Sequence, residues 1–383
     1  MRRHNVPSTA QNDQLISLIK SLTKAEKRNF KLYVNRLQSN TDTKFVQLFD
    51  VLDKMDYFDD ITVLKKLPNI KKSQLANLKR HLYKQLLISL RLIHIQKNVD
   101  IQIREQLDFA RILYGKGLIL QSMKILDRIK TIASDNHQDL LELEIIEFLK
   151  LIEERHITRS RQVKNKVESL VDESIRRSNV INNSIRLSNL KIEIHGFYIQ
   201  YGHVKNDRDI HVVKELFKNQ LANIKLEGLT FFEKIYLEQS YVWYYYILVD
   251  FEKCLEHALH WVEIFHDHEH LIEEEPDLYM RGFHYVMTSL FNLRDVKKFN
   301  KYIKAFEKFE EKYGSKLNTV SEILLFLYLD TARLSQYYLS GDLDEGDKFV
   351  PIVLQKINKY EPKLDPHRTV SYTHLTLPTT PYV

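Results

Sequence analysis

The chain has 383 residues, 57 of them Lys or Arg and 51 Asp or Glu, for a net charge of +6. Hydrophobic residues make up 44% and charged residues 28%, proportions that permit a packed core and exclude a low-complexity chain. The single cysteine, Cys254, excludes an intrachain disulfide, and nine glycines leave little room for phosphate-cradling loops.

Residues 1–98 hold 19 basic and 8 acidic residues, a net +11, and the remainder 38 and 43, a net −5. A basic head on a mildly acidic body points to two functional regions. "MRRHNVPSTAQNDQ" has two arginines but no apolar run behind them, so it does not read as a signal peptide. The most apolar runs, "VWYYYILV" and "ILLFLYL", are far shorter than the roughly 20 residues a membrane span needs. A cytoplasmic location is expected. Before Pro351 the only prolines are Pro7, Pro68 and Pro276, which predicts long helices with short connections.

The head begins with helices. In "TKAEKRNFKLYVNRL" Thr23 and Glu26 have the spacing of a capping box, and Phe30, Tyr33, Val34 and Leu37 follow as one apolar stripe. "TKFVQLFDVLDKM" turns Phe45, Leu48, Phe49 and Leu52 inward. A short helix around "ITVLKKL" stops at Pro68. Ser73 is then expected to cap a long helix whose buried face carries Leu75, Leu78, Leu82, Leu86 and Leu90.

From about Ile101 helices come in pairs joined by short polar turns. In "REQLDFARILYGKGLILQSMKILDRIKTIAS" Gly115 and Gly117 mark the turn, and Ala110 and Ser122 sit where two helices can approach closely. Later pairs are expected to begin near Asn136, Ser184, Leu229, Asp277 and Thr319. Their turns include Leu248-Val249-Asp250 and Gly341-Asp342. On these features residues 101–360 resemble the tetratricopeptide-repeat superfamily. The chain as a whole looks like bacterial proteins with a basic helical head before such repeats. The resemblance implies an all-α fold, an α-solenoid of tetratricopeptide-like helical pairs over residues 99–369 behind a basic helical subdomain over residues 1–98. It also implies a groove that binds a peptide or partner protein.

Four stretches invite chemistry, each with a plainer alternative. His266, Glu269 and His270 in "HDHEH" have an inverzincin-type zinc spacing; the alternative is a solvated helix end running into Pro276. Trp243, Tyr244, Tyr245 and Tyr246 suit either an aromatic recognition surface or core packing. "ITVLKKL-PNIKK-SQLANLKRHLYKQL" could be a helix-turn-helix, with Ser73, Gln74, Asn77 and Arg80 toward the major groove and Lys71, Lys72, Lys79, Lys84 and Arg91 among the surrounding basic residues. The alternative there is a charged, solvated face. Cys254 reads as a packed thiol rather than a nucleophile. No P-loop, G-x-S-x-G or dinucleotide fingerprint occurs. No catalytic, cofactor-binding or metal-ligating residue is assigned, no cofactor is expected, and the chain reads as non-enzymatic. The leading expectation is a protein-interaction scaffold. The other is a DNA-binding regulator that uses residues 1–98.

The chain ends "VSYTHLTLPTTPYV". Read into codons as GTC TCT TAT ACA CAT CTG ACG CTG CCG ACG, this resembles the transposase end and adapter of short-read sequencing libraries. Val370 to Val383 are therefore expected to be translated adapter without fold or function. The natural chain is expected to continue beyond Thr369, with an apolar face near Phe349, Val353 and Ile357 left uncovered.

Overall fold

The computed structural model describes residues 14–36, 43–57, 59–96, 98–156, 166–222 and 224–360; Leu37 and the segment Val370 to Val383, with the readings placed on them, lie outside these. Among the described residues the protein is all-α, with no strand. No helix among them is long and apolar enough to cross a membrane. Backbone contacts divide the chain into two compact units, Met1–Ile132 and Ala133–Val383.

The first unit holds α1 (Gln14–Ser21), α2 (Lys24–Arg36), α3 (Thr43–Asp53), α4 (Asp60–Lys66), α5 (Lys72–His94) and α6 (Val99–Gly115), and most of α7 (Ile119–Asp135). Thr23 and Glu26 form the expected box: the Thr23 N–H donates to Glu26 Oε2 at 2.7 Å and the Glu26 N–H to Thr23 Oγ1 at 3.2 Å. Phe30, Val34, Phe45, Leu48, Phe49, Leu52, Leu75, Leu82 and Leu86 share one buried core, with Leu78 and Leu90 half-buried against it. Ser73 does not cap α5. The helix begins one residue earlier, at Lys72, and the Gln74 side chain reaches back to the Lys71 N–H at 3.2 Å. Ala110 and Ser122 do meet: the buried Ser122 hydroxyl donates to the Ala110 carbonyl at 2.7 Å.

The second unit holds α8 (Asp139–Arg155), α9 (Lys166–Tyr201), α10 (Asp207–Leu221), α11 (Phe231–Ile247), α12 (Phe251–His266), α13 (His270–Glu274), α14 (Pro276–Asn292), α15 (Val296–Tyr313), α16 (Thr319–Ser340) and α17 (Leu343–Tyr360). Helices pack mainly on near neighbours in the chain: α8 on α9, α9 on α11, α11 on α12, α12 on α14, α14 on α15 and α16, and α16 on α17. A large apolar core runs through α11 to α16 around Trp261, Phe265, Phe283, Phe299 and Phe306. Pairs begin at α11, α14 and α16 as expected, but Ser184 starts none; it lies in the middle of the 36-residue α9. Val353 and Ile357, expected to be uncovered, are buried against Ile323, Phe326 and Leu327 of α16, with Phe349 half-buried beside them.

One turn recurs. At Gly117, His137, Val249, Arg294 and Gly341 the backbone φ is 77°, 52°, 60°, 56° and 79°. At each, the left-handed residue donates its N–H to the carbonyl three residues back, and the next residue donates to the carbonyl five residues before itself. Val249 N to Tyr246 O is 3.1 Å and Asp250 N to Tyr245 O is 3.0 Å; Arg294 N to Phe291 O and Asp295 N to Leu290 O are both 3.1 Å. This is the Schellman closure, which satisfies carbonyls that a helix end leaves open. Asp250 and Asp295 then cap the next helix at once, accepting from the Lys253 N–H at 3.2 Å and the Lys298 N–H at 2.9 Å. Two residues thus end one helix and start another.

A left-handed φ costs an L-residue roughly 1–2 kcal/mol, more for a β-branched side chain, and glycine avoids it. Val249 is 48% exposed and loses little packing when replaced. Val249→Gly should raise the unfolding free energy by about 1 kcal/mol and Gly341→Ala lower it by about as much, read as opposite shifts of the urea midpoint at constant slope.

Candidate functional site

The "HDHEH" segment does not form one helical turn. His266 ends α12, residues 267–269 form a turn, and His270 opens α13. The two histidines stand on different helices, so the shared face required of a zinc-protease helix is absent. His268, between them, packs edge-on against Phe231 at 5.3 Å and His137 at 5.4 Å. Burial, and then the neighbouring His268 and His270, hold the His137 imidazole below its ordinary pKa.

Cys254 is fully buried and its thiol is pushed up to about 11 by burial. It accepts from the Ser289 hydroxyl at 3.2 Å and lies 3.6 Å from the Val242 carbonyl. That thiol stays protonated at neutral pH and is a poor nucleophile.

The aromatic run of α11 faces all round its helix. Tyr244 stacks on Phe217 of α10 at 4.2 Å, Tyr245 lies against His257 of α12, and Tyr246 meets Tyr198 of α9. Trp243 touches two elements at once: His195 of α9 at 4.3 Å and Tyr285 of α14 at 5.5 Å. In the head, Ser73, Gln74, Asn77 and Arg80 are all exposed near the start of α5, with the Arg80 guanidinium donating to Asn77 Oδ1 at 3.0 Å.

Trp243 belongs to a larger cluster. Lys191, His195 and Tyr198 follow one stripe of α9, and Tyr236, Gln239 and Trp243 one stripe of α11. Arg281, His284 and Tyr285 lie together on α14. The Lys191 ammonium sits 5.0 Å over the Tyr236 ring, and His284 stacks on Tyr328 of α16 at 4.4 Å. Arg281 is the shared neighbour. Burial depresses Lys191, His195 and His284, and Arg281 depresses each further. His284 falls to about 4.

Carboxylates stand near this positive charge without pairing with it: Glu275 and Asp139 act on Tyr236, and Asp277 Oδ1 is buried with no partner among the described residues. Among the described residues neither Lys191 nor Arg281 forms an ion pair, although Asp277 stands one helical turn before Arg281. Arg281 Nε is buried and unpaired within the protein, and so are both amide atoms of Gln239, which is 2% exposed. Unpaired buried polar groups cost roughly 1–3 kcal/mol each and seldom persist in a core without a use. Two half-exposed cations with flanking rings form a setting that favours an anionic group beside an apolar one.

Residues Lys191 and Arg281 are ninety positions apart on different helices, and no local motif joins them with Gln239. Compared with protein-family models, curated proteins and solved structures, the chain finds no match.

The depressed His284 makes stability depend on pH. Below its ordinary value of 6.5 the unfolded chain takes up a proton that the folded protein refuses until about pH 4. Stability should therefore be fully present above pH 6.5 and fall as pH drops through that window, by about 1.4 kcal/mol per unit from this residue. His195 and His137 act in the same direction. His284→Phe keeps a ring on Tyr328 and removes the proton site, so urea titrations at stepped pH should give a slope shallower by about one proton. An unchanged slope would exclude His284 as the source.

Proposed function

We propose that this protein is a non-enzymatic interaction scaffold whose second unit binds a peptide or partner protein through an acidic group. The carrying observation is the cluster of half-exposed Lys191, Arg281 and Trp243, in which neither cation forms an ion pair among the described residues. A carboxylate on the partner would take the free donors of Arg281 and Lys191, and its neighbouring side chains would lie on Trp243 and Tyr236. Support for an α-solenoid of tetratricopeptide-like pairs comes from the recurrent Schellman turn and from the neighbour-to-neighbour packing of α11 to α17. In such an array the first helices of successive pairs line one surface, and α11, α14 and α16 contribute Trp243, Arg281 and Tyr328.

The test uses the full chain and two matched sets of labelled short peptides, one carrying Asp and Glu, the other Asn and Gln at the same positions. Acidic peptides should bind and lose at least about tenfold in affinity to Arg281→Met or Lys191→Met. Both variants keep the aliphatic stem, so thermal stability should stay level or rise as binding falls. Equal binding of both sets, or binding indifferent to both variants, would remove the proposal.

A second reading rests on the head. Lys65, Lys66, Lys71, Lys72, Arg80 and Lys84 are exposed around the turn between α4 and α5, beside exposed Ser73, Gln74 and Asn77. That surface fits phosphate contacts around a base-reading helix, as a DNA-binding regulator needs. Duplex DNA should then bind with an affinity that falls steeply with salt, and Lys72→Glu with Arg80→Glu should lower the logarithmic salt slope by about two. Absence of binding at low salt would eliminate this reading.

A further inference from the structure

Across the α11–α12 pair, Glu238 meets His257 and His260, with one ligand atom of each side chain within 4.8 Å of the other two. Glu238 Oε2 is 2.7 Å from His257 Nδ1 and 4.0 Å from His260 Nδ1. The two histidines are three residues apart on α12 and so share a face, with the carboxylate supplied by the facing helix.

Three features separate this cluster from a chance surface ion pair. First, the His257 ring is held flat against Tyr241 at 4.4 Å and 11°, and against Tyr245 at 5.3 Å and 13°. Its direction is set before any ligand arrives. Second, the Glu238 and His257 side chains are only 16% and 18% exposed, while His260 is 49% exposed. The cluster is closed on the protein side and open on the other. Third, bonds of about 2.0–2.1 Å to a tetrahedral ion place ligand atoms roughly 3.3 Å apart, and the two measured separations from Glu238 Oε2, 2.7 and 4.0 Å, bracket that value. The Glu238 carboxylate supplies the anionic ligand for an incoming cation.

We infer that Glu238, His257 and His260 form a binding site for a divalent transition cation of the zinc type. Two imidazoles and one carboxylate suit zinc and its borderline neighbours and disfavour magnesium and calcium, which require oxygen ligands throughout. With three protein ligands, at least one coordination position faces solvent. The bound ion would tie α11 to α12 across the strained Val249 turn. The site shares no residue with the Lys191–Arg281 cluster, and either can fail without the other.

Full-length protein stripped with chelator is titrated with zinc against a chromophoric competitor, and separately with cobalt, whose visible bands report nitrogen and oxygen coordination. One equivalent should bind specifically, and the melting temperature should rise by roughly 3–5 °C at a hundredfold excess over Kd. His260→Gln changes an exposed side chain, so it should leave the metal-free melting temperature unchanged and weaken binding by about a hundredfold. Glu238→Gln keeps a hydrogen-bond acceptor for His257 but removes the charge, and should weaken binding at least about tenfold. The chain has sixteen histidines, so a background of weak sites is expected. Binding that is unaltered in both variants, or absent at a hundred micromolar zinc in the wild-type protein, overturns the site.

Discussion

Two backbone hydrogen bonds at the end of a helix govern how the rest of this protein can pack. A helix that finishes with one left-handed residue turns the chain sharply and leaves its last carbonyls satisfied. The next helix can then start within two residues and lie against the one before. Because Asp250 and Asp295 close one helix and cap the following one, no spare loop separates partners. The side chains across each turn therefore meet at fixed offsets. Ser122 reaches Ala110, and Cys254 lies near Val242, each twelve residues back around the turn. Equivalent geometry from Ser in one unit and Cys in the other indicates that backbone, rather than side-chain identity, sets the contact.

Charge is treated differently in different parts of the second unit. Asp330, 2% exposed, is met by Arg333 at 3.0 Å and Lys356 at 2.6 Å, and Arg333 also reaches Glu307 and Glu310. Arg177 is held by Asp139 and Glu142 between α8 and α9. These networks answer the buried Asp330, Asp139 and Glu142 carboxylates with opposite charge, as burial demands. Lys191 and Arg281 lack that answer. That contrast with the Asp330 and Arg177 networks is the strongest reason to look for a partner there.

What was legible in the sequence was local. Thr23 and Glu26 are three residues apart, and their box needs no tertiary information. Small Ala110 and Ser122 flanking a glycine turn also carry their own meaning. The pair expected near Ser184 is absent, and Asn183 beside it spends its amide on tertiary hydrogen bonds. It donates to the Lys225 carbonyl at 2.9 Å and Glu233 Oε1 at 2.7 Å, and accepts from the Lys225 N–H at 3.0 Å. Asn183 thus ties the middle of α9 to Lys225, before α11, and to Glu233, in its first turn. The turn at Leu248-Val249-Asp250 was legible without a glycine, and His137, Val249 and Arg294 all take left-handed positions as non-glycine residues. The cationic cluster and the Glu238–His257–His260 group were illegible for a simpler reason: their members come from separate helices, and only packing brings them together.

The buried contact of Ser289, Cys254 and Val242 has a kinetic consequence. The one thiol of the chain sits at the junction of α11, α12 and α14, fully covered and protonated. A soluble thiol reagent cannot reach it until those helices part. Its labelling rate then measures how often that part of the core opens, rather than any property of sulfur. The protein thus carries its own clock for the breathing of the helices that frame both the cationic cluster and the histidine pair.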